Sequence, residues 1–225
     1  MNKEDFFINE FVKDNKKEKF IGDDAAVIGE DVYSMDAFFE NIHFKREWMS
    51  LKQIAKKAML VNISDAIVMN AIPKYALLSV AIPSTYTHKE LEELASGFKS
   101  VAKKYDIKII GGDTICNEKL DISITIISKT KNAIYRTGTS VGDLVCYTGE
   151  LGTCKSDLQK LLDGGSIPKK SKFIKPKLRA KFFYEAAPYI NSALDISDGL
   201  FFELERLSRA NKLGFKFFEH ISKDI

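Results

Sequence analysis

The sequence predicts an α+β fold, with helices packed outside mixed or antiparallel sheets. Three observations carry this. Strand-like runs are separated by long helical patterns. The strands alternate apolar and polar residues, where buried parallel strands would be wholly apolar. Asp121-Ile122-Ser123-Ile124-Thr125-Ile126 shows that alternation most cleanly.

In chain order, Met1 to Phe20 is studded with charge and has no signal-like apolar stretch. Ala25–Ile28 reads as a strand, and Ser34-Met35-Asp36 follows a short one. A helix begins after Ser50, where Ser50 and Gln53 form a capping box, and runs through Ala58-Met59-Leu60 until the pattern stops before Pro73. Tyr75–Ile82 is the next strand. The clearest helix is His88 to Tyr105, with Leu91, Leu94, Phe98, Val101 and Ala102 at helical spacing behind a Thr87/Glu90 box. Ile107–Ile110 and Ile122–Ile127 are strands, and the turn Gly138-Thr139-Ser140 marks a boundary near Thr137–Val141. Two domains are expected, 1–137 and 138–225. The second holds a strand at Leu144–Tyr147, a helix from Ser197 to Asn211 with Leu200, Phe201, Leu204 and Leu207 inward, and a strand at Phe215–Phe218. With nothing to cover that last strand, the second domain is expected to be cut short or unusually small.

The bulk figures exclude several classes. A formal charge of +3 on 225 residues does not demand nucleic acid, and no apolar run approaches the ~18 residues of a membrane span. The expectation is a cytoplasmic protein that binds neither nucleic acid nor membrane. Cys116, Cys146 and Cys154 lack the spacing of a zinc or redox pair, and Cys146, in an apolar run, is expected to be buried.

Five short aspartate motifs are the chemistry-bearing feature: Gly22-Asp23-Asp24-Ala25-Ala26, Ser34-Met35-Asp36, Asn62-Ile63-Ser64-Asp65, Gly111-Gly112-Asp113-Thr114 and Asp195-Ile196-Ser197-Asp198-Gly199. Taken singly, each has a plain reading: a surface turn, a solvated helical Asp, a glycine turn, a helix N-cap. Taken together they repel one another unless cations lie between them. Oxygen-only ligands of that kind suit Mg²⁺ bridging carboxylates to phosphates. Gly149-Glu150-Leu151-Gly152-Thr153 could form a phosphate nest, but the segment lacks the glycine spacing of a P-loop. The seven cations from Lys169 to Lys181 form either a solvated loop or a lean-to for polyphosphate.

As an ordered set, GDDAAV, SMD followed by NIHF, KAMLVNISDAIVMNAIP, IIGGDT, YRTGTSVGDLVCYTGELG, FIKPKLR and ALDISDGL resemble the thiamine-monophosphate kinase family of the AIR-synthetase-like (PurM-like) superfamily. The resemblance implies two α/β domains and a homodimer whose N-terminal strands build a barrel. It implies an enzyme that moves the γ-phosphoryl group of ATP, its co-substrate, onto thiamine monophosphate with several Mg²⁺ ions, giving thiamine diphosphate and ADP. Position by position, it assigns Asp23, Ser34, Met35 (through backbone), Asp36, Asp65, Asp113, Asp195 and Asp198 to the metal. Gly112, Asp113, Arg136 and Ser197 are assigned to ATP, and His43 to the thiamine phosphate. The transfer is expected to be direct and in line, with no side-chain nucleophile. Met35 stands where the family often has Thr, Lys155 where it has small residues, and the family's downstream Gly-Glu-Asp-Tyr-Glu-Leu-like segment does not occur before Ile225. The alternatives are another superfamily enzyme, of selenophosphate or AIR synthetase type, and a silent ATP- or metal-binding module. A selenophosphate synthetase normally has a reactive Cys or selenocysteine near its N-terminus, and no Cys precedes Cys116.

Overall fold

The computed structural model describes residues 3–14 and 20–217. After helix α1 (Lys3–Asp14) come strands β1 (Ala26–Ile28) and β2 (Asp31–Phe39), helix α2 (Leu51–Val68), β3 (Ile72–Pro83), α3 (His88–Tyr105), β4 (Lys108–Asn117) and β5 (Asp121–Lys129). Helices α4 (Thr153–Leu162), α5 (Ala180–Ala186) and α6 (Leu200–Asn211) complete the described elements. The five strands form one mixed sheet in the order β1-β2-β5-β3-β4, in which only β3 and β4 run parallel. The α+β expectation therefore holds.

Helix α2 is the centre of the molecule. Leu51, Ile54, Ala55, Ala58, Met59, Ile63 and Ala66 are wholly buried, because the helix is apolar on nearly every side, as a core helix must be. It lies between the sheet and α3. The sheet presents Val32, Phe38, Ala76, Val80, Ile122, Ile124 and Ile126 toward the helices, and α3 contributes Leu94, Phe98, Val101 and Ala102. Both capping boxes form as expected, at Ser50/Gln53 and at Thr87/Glu90. Leu161, Phe173 and Ile174 from the later segment are buried in this same core.

The other face of the sheet is open. Tyr33, Met35, Tyr75 and Leu77 alternate with buried or half-buried residues and stand exposed, and Ile115 of the exposed edge strand β4 lies on the same face. Gly112 holds the far edge. It sits opposite Leu78 with φ +146°, and a Cβ there would lie 1.7 Å from the Leu78 carbonyl oxygen.

Several expectations are corrected. Ser34–Asp36 lies inside β2, and Gly111–Thr114 lies inside β4, because both strands extend past the polar residues that look like their ends. Leu144–Tyr147 is irregular and Cys146 is exposed, since no neighbouring strand offers it pairing. Phe215 to Phe217 is likewise irregular, and Phe218 lies outside the described residues. On α6, Phe201 faces outward and Glu203 is buried in its stead.

Gly97 lets α2 and α3 touch: a Cβ would lie 2.6 Å from both the Ala55 Cβ and the Lys52 carbonyl oxygen. Alanine in a helix interior gains about 1 kcal/mol over glycine, but overpacking a tight contact costs about 1–3 kcal/mol. A backbone carbonyl cannot move aside, so the cost wins. Gly97→Ala is expected to lower unfolding stability by roughly 1–2 kcal/mol in urea titration; equal or greater stability would contradict the close packing.

Candidate metal and phosphate site

The site assembles where α2, the turn before β1 and the loop before α6 converge. Asn62, fully buried on α2, pins β2 to the helix. Its Oδ1 accepts the Asp36 N–H at 2.9 Å, and its backbone oxygen accepts the Ser34 hydroxyl at 3.3 Å. β1 pairs with β2 only from Asp31 to Tyr33, so beyond it the Asp36 N–H finds its partner in this side chain. Asp36 is thereby set on the helix side of the sheet. Met35, one residue earlier, points to the open face and is 66% exposed.

One turn past Asn62, Asp65 meets Asp24 and Asp195. One carboxylate oxygen from each lies within 4.8 Å of the others. Asp24 is held by Arg136, whose Nη2 and Nε donate to its two oxygens at 2.7 and 3.4 Å. The Arg136 backbone N–H donates to Asp23 Oδ1 at 2.5 Å. Asp195 Oδ2 accepts the Ser64 hydroxyl at 2.8 Å.

This crowding has an electrostatic consequence. Burial raises the Asp65 carboxyl to about 9, with Asp36, Asp195 and Asp24 adding to the rise and Arg136 opposing it. Asp195 is raised to about 6, first by burial and then by Asp24, against the Ser64 hydrogen bond. Asp24 and Asp36 are raised as well, burial leading in both. Carboxyls held in this way lack counter-charge. Ligands on opposite sides of Mg²⁺ stand about 4.2 Å apart, twice its 2.0–2.1 Å bond. The cluster gathers three carboxylate oxygens within 4.8 Å of one another and offers only oxygen donors, the chemistry this cation takes.

The other expected residues lie apart from this cluster. Asp198 is largely exposed and its Oδ2 accepts from Arg206 Nη2 at 2.8 Å, while the Ser197 hydroxyl donates to Glu203 at 3.3 Å. Asp113 pairs in register with Ser79, and Ser79 with Ser123, which places it on the open face. Three strand spacings separate β4 from β2, roughly 14 Å, so Asp113 and Gly112 do not join the buried aspartates within one chain. His43 Nδ1 accepts the Phe39 N–H at 2.9 Å, and its ring stacks on Phe38 with centroids 5.7 Å apart.

Three residues were not marked from the sequence. Asp24, beside the assigned Asp23, is the member of the pair that reaches the cluster. Glu203 braces the last motif from inside α6. Lys57 places its ammonium 3.8 Å from the Phe173 ring centroid and 5.6 Å from that of Phe38, and burial lowers it to about 8. Its place one residue before the apolar run Ala58-Met59-Leu60 was the available signal.

A mixed sheet packed on a central helix, with half-buried aspartates gathered from that helix and two loops, defines the class. Residues 22–130 match the family model for AIR synthase related protein, N-terminal domain. The chain is 33% identical over 216 residues to the thiamine-monophosphate kinase of Bacillus subtilis (strain 168), across 88% of this chain and 66% of that protein. It is 32% identical to the thiamine-monophosphate kinase of Buchnera aphidicola subsp. Schizaphis graminum, across 93% of this chain and 68% of that one. The solved structure of AaThiL complexed with AMPPCP and TMP matches with a TM-score of 0.84 at 27% identity, over 94% of this chain and 72% of that chain. The chain belongs to the thiamine-monophosphate kinase family. It spans about two thirds of the length of these curated relatives.

The raised carboxyls dictate a pH response in the metal-free protein. Asp65 moves from an ordinary 3.8 to about 9 on folding, so the folded state holds a proton that the unfolded chain releases. Its contribution to stability is complete below about pH 4 and is lost as pH rises toward 9. Asp195 acts in the same direction up to about pH 6. In EDTA, the melting temperature is expected to fall between pH 5 and pH 9, with Asp65→Asn melting above the unsubstituted protein at pH 8. Identical, flat profiles for the two proteins would contradict the cluster's electrostatics.

Proposed function

We propose that this protein is a Mg²⁺-dependent kinase that transfers the γ-phosphoryl group of ATP to thiamine monophosphate, giving thiamine diphosphate and ADP. The observation that carries the reading is the Asp24–Asp65–Asp195 cluster with Asp36 beside it, in a chain of this family. The acceptor is a phosphate oxygen already ionised near neutral pH, so no general base is required. It attacks the γ-phosphorus directly as the bond to the β-phosphate oxygen breaks, and ADP leaves. The barrier lies in bringing two polyanions together, which positioning and charge overcome.

Several Mg²⁺ ions, held by Asp24, Asp36, Asp65 and Asp195 with Asp23, Ser34 and Asp198 at the margin, would supply the positive charge that this step needs. Arg136 orients the cluster through Asp24, and its guanidinium would be free for nucleotide phosphate once that carboxylate has another counter-charge. His43, exposed and stacked on the buried Phe38 ring, is assigned to the acceptor's phosphate. Gly112 and Asp113, at the far strand, belong to the nucleotide side, and Ser197 to the loop that faces it. The ATP- and Mg²⁺-binding unit is assigned to residues 1–137 and the second unit to 138–225, in a cytoplasmic protein. Among the described residues no helix is long and apolar enough to cross a membrane.

A homodimer is part of the proposal. Tyr33, Met35, Leu77 and Ile115 make an exposed apolar sheet face, a surface that association would bury. Leu77→Arg is expected to convert a dimer to a monomer in light scattering; unchanged mass would argue against this face.

The reaction itself is tested by thiamine diphosphate formation from thiamine monophosphate, ATP and Mg²⁺. Product should form, vanish with EDTA, and drop at least about 100-fold in Asp65→Asn, the scale of losing one strong electrostatic contact. ATP binding without product would favour a silent nucleotide-binding module. A stable phosphoprotein formed from ATP alone would exclude direct transfer.

A further inference from the structure

The loop that carries Asp195, Ser197 and Asp198 enters α6 through Gly199, and no side chain caps the helix from in front. The free donors at a helix start need acceptors. Ahead of those donors, the loop itself is held by an acceptor that reaches back from within the helix. Glu203, the fourth residue of α6 and 2% exposed, turns its carboxylate back into the loop. Its Oε1 accepts the Asp198 N–H at 3.0 Å and the Ser197 hydroxyl at 3.3 Å. Its Oε2 accepts from Arg206 Nη1 at 2.8 Å, and the other arm of that guanidinium, Nη2, donates to Asp198 Oδ2 at 2.8 Å.

One guanidinium is thus divided between two carboxylates of unequal setting. Glu203 holds its arm in the interior, where a charge-assisted bond is strong. Asp198 holds the other at the surface, its side chain 57% exposed, where an ion pair is weak. Arg206 is therefore anchored to Glu203, and Asp198 can leave it.

We propose that Glu203 is a positioning residue for cation binding: it fixes the Ser197–Asp198 backbone and retains Arg206, so that the Asp198 carboxylate is free to pass to a divalent cation. This rests on the assignment of Asp198 to the metal in the proposed kinase. Without the Glu203 charge, Arg206 would have Asp198 as its sole carboxylate among the described residues and would compete with the cation for it.

The test is Mn²⁺ binding, followed by electron paramagnetic resonance with the β,γ-methylene analogue of ATP present, alongside turnover and melting temperature. Glu203→Gln keeps the shape but presents Arg206 with an amide. It is expected to weaken Mn²⁺ binding about tenfold and to raise the Mg²⁺ needed for half-maximal turnover by a similar factor. Adding Arg206→Gln to Glu203→Gln should restore Mn²⁺ affinity, because the competing cation is gone. A merely structural Glu203 predicts lowered melting without that recovery, and this result would overturn the proposal, as would unchanged Mn²⁺ binding in Glu203→Gln. Should Glu203→Gln fail to fold, Arg206→Gln alone probes the same competition: binding at least as tight as in the unsubstituted protein supports it, and weaker binding overturns it. Turnover of the unsubstituted protein is read separately. Absent product with a Mn²⁺ loss in Glu203→Gln would refute the kinase and leave the positioning role standing; product with no Mn²⁺ loss would do the reverse.

Discussion

Carboxylates that approach within 4.8 Å in a largely buried setting cannot all ionise without compensating charge, and the fold around them is arranged to supply only part of it. Arg136 satisfies Asp24, and the hydroxyl of Ser64 eases Asp195. Among the described residues Asp65 has no direct partner of that kind, and burial with its acidic neighbours raises its carboxyl to about 9. An incomplete charge balance of this sort is expensive in a structural element. It is useful in a site that must draw cations and, with them, polyphosphate.

Helix α2 makes the arrangement possible. Its wholly buried residues Leu51, Ile54, Ala55, Ala58, Met59, Ile63 and Ala66 fix its azimuth against the sheet and α3, and the contact at Gly97 sets how near α3 comes. With the helix so held, Asn62 reaches β2 and Asp65 reaches the two loops. Stability and function are thus coupled through one element. The site is also linked to the later segment, because Asp195 arrives from the loop before α6, and Asn211 at the end of that helix donates to the Arg136 carbonyl at 2.8 Å.

What could be read from the sequence followed the range of the interaction concerned. The helix His88–Tyr105 and both capping boxes rest on residues three or four apart, and the structure has them where spacing put them. The aspartate motifs were visible as a set. Which of Asp23 and Asp24 enters the cluster depends on Arg136, more than a hundred positions away, and no local pattern encodes that. The face on which Asp113 lies depends on a register shift between Ala76 and Leu77 in the β3–β4 pairing. Glu203 looks like a solvent-facing residue of an amphipathic helix until Arg206 and the Asp198 N–H are seen beside it. For Leu144–Tyr147 an apolar run was present without a partner strand, and composition alone could not reveal that.

The central claim is that the buried aspartates form a cation site on which phosphoryl transfer depends. Anomalous diffraction from crystals grown with Mn²⁺ and the β,γ-methylene analogue of ATP tests it most directly. The account predicts manganese bonded to carboxylate oxygens of Asp65 and at least one of Asp24 and Asp195, with the Asp24–Arg136 pair loosened. Manganese found only on exposed carboxylates, with Asp65 bound to none and Arg136 still closed on Asp24, would contradict it.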